Sequence, residues 1–309
     1  PPESGVFRQI KSLLSGHFAV LTPENFTDHV YWQLEAHEHE DDLPTTIERT
    51  HTLICDAARR QLVSDVPLAC FLSGGLDSSI LSMLAAKDYA ARGETLHTWS
   101  VDYRDNDKYF TKSIFQPNSD DSYIDQMVNF LGTHHHRVVL EPEALCAALL
   151  PATDARALPG MADVDSSLLL FCAAVKRGGT TVCLSGECAD ELFGGYPMYL
   201  AGGHFDHYSH KVPRPVRKVL GTVAKHCPNF KGKNFLVRGA MEPYQRFMRA
   251  NYVFQSAERQ KFLKRPIASK VPEEYSKRYF NEVSNLDEPT QLQYVDMHTW
   301  MIYDILLKA

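Results

Sequence analysis

No apolar run in this 309-residue chain approaches the ~18 residues that a membrane-crossing helix needs. No signal-peptide pattern opens it. A membrane protein is therefore not expected, and a cytoplasmic location is. The seven cysteines are odd in number and no Cys-x-x-Cys pair occurs. A disulfide framework and a structural zinc site are both disfavoured. Several cysteines sit in apolar runs, such as Ala69-Cys70-Phe71 and Leu170-Phe171-Cys172. Buried free thiols in a reducing compartment are the expected state. Neither G-x-x-x-x-G-K-[ST] nor G-x-G-x-x-G is present, which removes two familiar nucleotide-binding patterns. There is no internal repeat and no low-complexity tract. At 44% hydrophobic and 23% charged residues, the composition excludes a disordered chain and a rod.

What is present is an uneven distribution of charge. The net charge of −6 hides three regions. Residues 1–204 hold 14 basic and 28 acidic side chains, residues 205–280 hold 17 and 5, and residues 281–309 hold 1 and 5. A boundary near residue 204 follows. The expected organisation is a linker and strand remnant over 1–44, an α/β core over 45–204 and a helical part over 205–309. The start at Pro1-Pro2, without Met, reads as a piece of something longer.

Along the chain, residues 5–22 suggest a helical turn, a Gly-centred turn and a strand, and the acidic 35–44 a loop. Apolar residues at helical spacing predict a helix over 45–63, with Pro44 at its start. A short apolar run at 67–72 and further short β-type runs at 95–102, 134–140 and 180–185 predict strands. Between them, helices are expected after Leu76 and over 121–131, 141–150 and 164–177. This alternation argues for a doubly wound, mainly parallel sheet with helices on both faces. Helical periodicity over 242–255 and 290–307 argues that the remainder is mostly helical.

The most informative segment is Ser73-Gly74-Gly75-Leu76-Asp77-Ser78-Ser79, between a buried strand and a helix. Two glycines permit a tight turn with positive φ. Backbone N–H groups and the helix N-terminus then form an anion cradle, suited to phosphate or pyrophosphate. Asp77 fits such a place if Mg²⁺ bridges it to the phosphates. A bare Ser-Gly-Gly would be an ordinary capped turn; the full pattern after a buried strand shifts the balance to function. A second constellation, Leu184-Ser185-Gly186-Glu187-Cys188-Ala189-Asp190-Glu191, also follows a short strand. Glu187 and Asp190 are three apart, so on a helical first turn they would share a face. Capping and a metal or acid/base role are both open for these acids.

The two motifs, about 110 residues apart, resemble the synthetase domain of the glutamine-hydrolysing asparagine synthetases. The loop alone resembles the wider N-type ATP pyrophosphatase group, of adenine nucleotide alpha hydrolase-like fold. The resemblance covers most of 1–204 and, more loosely, 205–309. It implies that Leu72, Val101, Ser185 and Gly186 touch adenosine. Ser73, Gly74, Gly75, Asp77, Ser78 and Ser79 would hold pyrophosphate. Asp77 and Asp190 would ligate Mg²⁺. Glu187, beside the acyl-adenylate, and Asp190 would be the catalytic acids. The implied reaction is ATP-dependent amidation of aspartate through β-aspartyl-AMP, with Mg²⁺ and ATP as cofactors. Ammonia would come from a glutaminase domain absent from this chain. A homodimer is left open.

The family's N-terminal catalytic cysteine and its downstream active-site lysine have no match here, and Lys308 is not that lysine. Asp163, Asp165 and Ser166 are candidates for the amino-acid site, against a turn and helix cap. His134-His135-His136 opens a strand, so alternate rings face opposite ways and no paired ligand set is visible. Two other functions are carried: a β-lactam-synthetase-like or other amide-forming enzyme, and an RNA-binding domain using the basic stretch. Nucleic acid is the less expected partner, because no RNA-module signature occurs.

Overall fold

The computed structural model describes residues 7, 9–109, 120–158, 160–199, 211–251, 261–264 and 271–306. Pro159, Lys308, residues 110–119 and parts of the basic stretch therefore lie outside the described residues. The chain divides into two compact units. One is Glu38–Glu187; the other joins Pro1–His37 to Cys188–Ala309. The division falls inside the second motif, whereas charge and texture change near residue 204.

In the first unit, α1 (Leu43–Gln61) starts where Asp42 caps it, its carboxylate accepting from the Thr45 N–H at 3.0 Å. Four strands follow: β3 (Leu68–Phe71), β4 (His97–Tyr103), β5 (His134–Leu140) and β6 (Val182–Leu184). They are parallel throughout, in the order β5-β4-β3-β6. Between them run α2 (Leu76–Ala91), α3 (Asn106–Tyr109), α4 (Asp121–Leu131), α5 (Pro142–Arg156) and α6 (Ala162–Arg177).

The alternation of side chains along β3 shows why both faces are covered. Leu68 and Cys70 pack with Leu62, Ala85 and Leu96, under α1 and α2. Ala69 packs with Trp99, Phe171 and Val175, on the α6 side. A strand buried on both faces has no polar side to show, hence its unbroken apolar sequence. The doubly wound arrangement expected from sequence is thus observed. The chain winds outward through β4 and β5, then returns across α5 and α6 to place β6 on the other side of β3. Strand order reverses between β3 and β6, the place where such sheets open a crevice.

Several expectations need correction. The helix expected to stop at 150 continues through Pro151 to Arg156. Burial of Ala148 and Ala152 outweighs the hydrogen bond that Pro151 cannot make. Of the seven free cysteines, only Cys55 and Cys70 are buried, and Cys146 and Cys172 are exposed. Cys172 follows buried Phe171 on a helix, so the 100° step turns it off the core face.

In the second unit, β1 (His17–Leu21) pairs antiparallel with β2 (Phe26–Val30). The second strand was not expected, because Asp28 and His29 interrupt its apolar pattern. Gly16 enters the hairpin at φ 73°, where a Cβ would fall 2.0 Å from the Trp32 carbonyl oxygen. The rest is helical: α7 (Ala189–Phe193), α8 (Arg214–His226), α9 (Lys233–Gly239), α10 (Pro243–Asn251), α11 (Val271–Glu282) and α12 (Glu288–His298). Tyr199, Phe247, Phe280, Leu292 and Val295 are among the residues of its core. The helix expected over 290–307 is broken at Thr299, and a π-helical turn follows over Met301–Ile305. No described helix is long and apolar enough to cross a membrane.

Candidate functional site

The loop after β3 is tied down by its own serines. Leu72 is buried, and its N–H donates to the Trp99 carbonyl at 2.8 Å, extending the parallel pairing past the strand end. The Ser78 hydroxyl donates to the Gly75 carbonyl at 3.2 Å and accepts from the Ser73 N–H at 3.2 Å. Having spent its proton, Ser78 Oγ receives that of Ser73 Oγ, 3.0 Å away. Ser73 Oγ in turn accepts from the Gly75 N–H at 3.3 Å.

Only one of the two glycines adopts positive φ. Gly74 does, at 78°, and a Cβ there would lie 2.9 Å from the Ile124 nitrogen at the start of α4. Gly75 is extended and forms the N-cap of α2. Asp77 lies in the first turn of this 16-residue helix and Ser79 bonds back to Gly75 O at 3.1 Å. The helix therefore presents the positive end of its dipole at the loop.

Beside the loop is a cavity of about 380 Å³ at the carboxyl ends of β3 and β4. Of the residues expected in the site, Leu72, Ser73, Val101 and Glu187 line it. Gly74, Gly75, Asp77, Ser78, Ser79, Ser185 and Gly186 lie outside its lining. Phe71 and Phe171 form part of an apolar wall, their ring centroids 4.8 Å apart. Asp102 and Asn106 form a polar one. The Asp102 carboxylate accepts from the Tyr103 N–H at 2.8 Å and from Asn106 Nδ2 at 3.1 Å. Asn106 was missed because its stretch reads as polar and irregular; Phe171 was missed because one helical aromatic among many carries no signal of a site. An apolar slot bordered by amide and carboxylate groups suits a flat heteroaromatic ring with polar edges.

The second motif meets the first at the backbone. A Cβ on Gly186 would lie 2.7 Å from the Ser78 nitrogen. The Ser185 hydroxyl accepts from the Glu187 N–H at 3.1 Å. The shared helical face expected for Glu187 and Asp190 is not formed. Glu187 stands in a turn, Cys188 follows with φ 73°, and α7 starts at Ala189. A left-handed residue between the two acids breaks the helical phase. Glu187 is exposed.

In the second unit, Asp190 occupies the first turn of α7. A Cβ on Gly195 would overlap its carboxylate, 1.9 Å from Oδ1. Glu191, the third acid of the motif, is fully buried. It accepts from Tyr196 Oη at 2.8 Å and belongs to the core.

Asp165 is committed elsewhere: buried, it receives Arg156 Nη1 at 2.9 and 3.0 Å. Gly160 lies over this pair, where a Cβ would meet Asp165 Oδ2 at 2.1 Å. Ser166 donates to Ala162 O at 2.7 Å. Asp163 and Ser166 instead border a second, mostly apolar cavity between α5 and α6. Part of the basic stretch is neutralised within its own unit. Arg246 is buried against Glu288 at 2.7 Å, and Arg214 pairs with Glu242.

The family model described as asparagine synthase matches residues 49–308. Asparagine synthetase [glutamine-hydrolyzing] 3 of Bacillus subtilis is 46% identical over 199 residues, 64% of this chain and 32% of that relative. Asparagine synthetase [glutamine-hydrolyzing] 1 of the same organism is 29% identical over 311 residues, 100% of this chain and 47% of that relative. The chain thus spans less than half the length of these curated relatives. A solved NAD+ synthetase from Burkholderia pseudomallei aligns at 16% identity and a TM-score of 0.26, covering 46% of this chain and 62% of that one. At that score it adds nothing to the fold, which rests on the strand order.

Proposed function

This chain belongs to the asparagine synthase family, and we propose that it carries the ATP-dependent amidation step of an asparagine synthetase. The observation that carries the reading is the approach of Gly186 to the start of α2. It brings the two motifs together at the crevice where the strand order reverses.

In the proposed reaction a side-chain carboxylate oxygen of aspartate attacks the α-phosphorus of ATP. A P–O bond to the β-phosphate breaks, giving β-aspartyl-AMP and pyrophosphate. Ammonia, released from glutamine elsewhere in the enzyme, then attacks the acyl carbon. AMP departs and the nitrogen loses a proton. Leu72 and Val101 would contact adenosine from the cavity, with Ser185 and Gly186 beside it. The Ser73–Ser79 loop would receive the pyrophosphate, using backbone N–H groups and the dipole of α2.

The donor chemistry suits Mg²⁺, a hard cation that takes carboxylate oxygens. Asp77 would be a carboxylate ligand to it, and the ion would supply charge neutralisation for the departing pyrophosphate. Glu187 borders the cavity, where a carboxylate can take a proton from the attacking nitrogen.

The test is aspartate-dependent pyrophosphate release from ATP with ammonia supplied directly, using the longest natural form of the protein. Asparagine formation is expected. Turnover with a β-amino acid and none with aspartate would replace this reading by the cyclising relatives. Absence of Mg-ATP binding by calorimetry would overturn it.

A further inference from the structure

The histidine triplet at the start of β5 acquires in three dimensions a partner that is distant in sequence. His97 opens β4 and lies opposite His134 in the parallel register, with Trp99 opposite His136. Side chains at paired and diagonal positions share one face of the sheet. His97 Nδ1 and His136 Nε2 stand 2.9 Å apart. Their rings are stacked, with centroids 5.1 Å apart, and the His134 ring lies 4.9 Å from each. His135 points the other way, with Nδ1 at Thr98 Oγ1 (3.0 Å) and Nε2 at Ser100 Oγ (2.9 Å).

We propose that His97 and His136 form a two-imidazole site for a divalent transition-metal ion of the zinc class, clipping β4 to β5. Two nitrogens at the ordinary Zn–N distance of about 2.0–2.1 Å in a tetrahedral site lie roughly 3.3 Å apart. The observed pair, hydrogen-bonded ring to ring, would open by a few tenths of an ångström, and the donating ring would move its proton to its other nitrogen. The His136 ring is held ready for this. It stacks on Trp99 at 4.2 Å, and Trp99 is fixed by donating Nε1 to Thr180 Oγ1 at 3.2 Å. Trp99 also abuts Gly178, where a Cβ would fall 2.3 Å from the indole.

Burial, followed by neighbouring imidazoles, holds both His97 and His136 below the ordinary histidine pKa. That shift favours the neutral ring, the form a metal requires. Among the described residues no group of three or more His, Cys, Asp or Glu closes around an ion. The site would therefore rest on the two imidazoles, with the His134 ring beside them. It sits at the amino ends of the strands, opposite the cavity, and is independent of the nucleotide reading.

The experiment is Zn²⁺ titration by calorimetry into tag-free, chelator-treated protein near neutral pH, without ATP or Mg²⁺. Thermal melts with and without Zn²⁺ accompany it. One saturable site and a raised melting temperature, reversed by chelator, are expected. His97→Gln and His136→Gln should each weaken binding at least tenfold while keeping the parent's circular dichroism. His135→Gln should leave it unchanged. A second pair, His51 Nε2 and Cys55 Sγ, lies 3.6 Å apart, so His51→Gln is the control for a thiol site. Absence of saturable binding, or loss only in His51→Gln, would overturn the proposal.

Discussion

Gly186 is pressed against the Ser78 backbone: a methyl group on it would lie 2.7 Å from the Ser78 nitrogen and 3.0 Å from the Asp77 carbonyl carbon. Backbone cannot yield as a flexible side chain can. Gly186→Ala must push β6 and α2 apart at the point where the motifs meet. A loss of about 1–3 kcal/mol of stability is expected, read by urea denaturation. Mg-ATP affinity should fall in the same variant at temperatures where it remains folded.

Asp77 lies in the first turn of α2, where an anion is favoured by the helix dipole without any metal. Asp77→Asn keeps the shape and removes the charge. If the carboxylate serves Mg²⁺, affinity for Mg-ATP should fall by about tenfold or more, while thermal stability changes little. Calorimetry at fixed free Mg²⁺ separates the two roles. Unchanged affinity would remove Asp77 from the metal site.

Asp296 offers a test by pH. Burial, with the nearby Glu191 charge, pushes its pKa up to about 6 although Tyr199 Oη donates to it at 2.7 Å. In the unfolded chain an aspartate titrates near about 3.9. The folded state therefore holds its proton more tightly. The stabilisation is complete below the unfolded pKa and is lost as pH rises through about 6. Over about two pH units at about 1.4 kcal/mol each, the loss amounts to about 3 kcal/mol. Asp296→Asn, which can still accept from Tyr199, should flatten that segment of the pH–stability curve in urea melts compared with the parent.

Arg246 and Glu288 form a buried ion pair in the helical unit, their side chains 7% and 6% exposed. Glu288→Ala takes the buried carboxylate away from the guanidinium, while Arg246 Nη1 keeps its bond to the Met241 carbonyl at 2.8 Å. The expected cost is about 3–5 kcal/mol, measured by denaturant unfolding. The double variant Arg246→Met, Glu288→Leu should recover much of it, since no buried charge is then left unpaired.

The helix over 121–131 and the strand over 134–140 were legible to the residue, because their apolar spacing and the Gly132 stop are local signals. The four parallel strands were legible as short β-type runs between helices. Phe26–Val30 was not, because a hairpin strand with polar residues on both faces lacks alternation. The end of α5 was misplaced because propensity at Pro151 yields to packing against α6.

At the site, the Ser73–Ser79 loop could be read as an anion cradle from its residues alone, since the glycines, serines and helix start act within a few positions of one another. That a side chain at Gly74 has no room depended on the Ile124 backbone lying against it. The separation of Glu187 from the helix of Asp190 depended on the left-handed Cys188. The pairing of His97 with His136 depended on the β4–β5 register. The sequence by itself determined the element types and the chemistry each motif could perform, because those follow from neighbours along the chain. The tertiary structure alone decided which distant groups touch, because contact across strands is set by register and packing that no local pattern encodes.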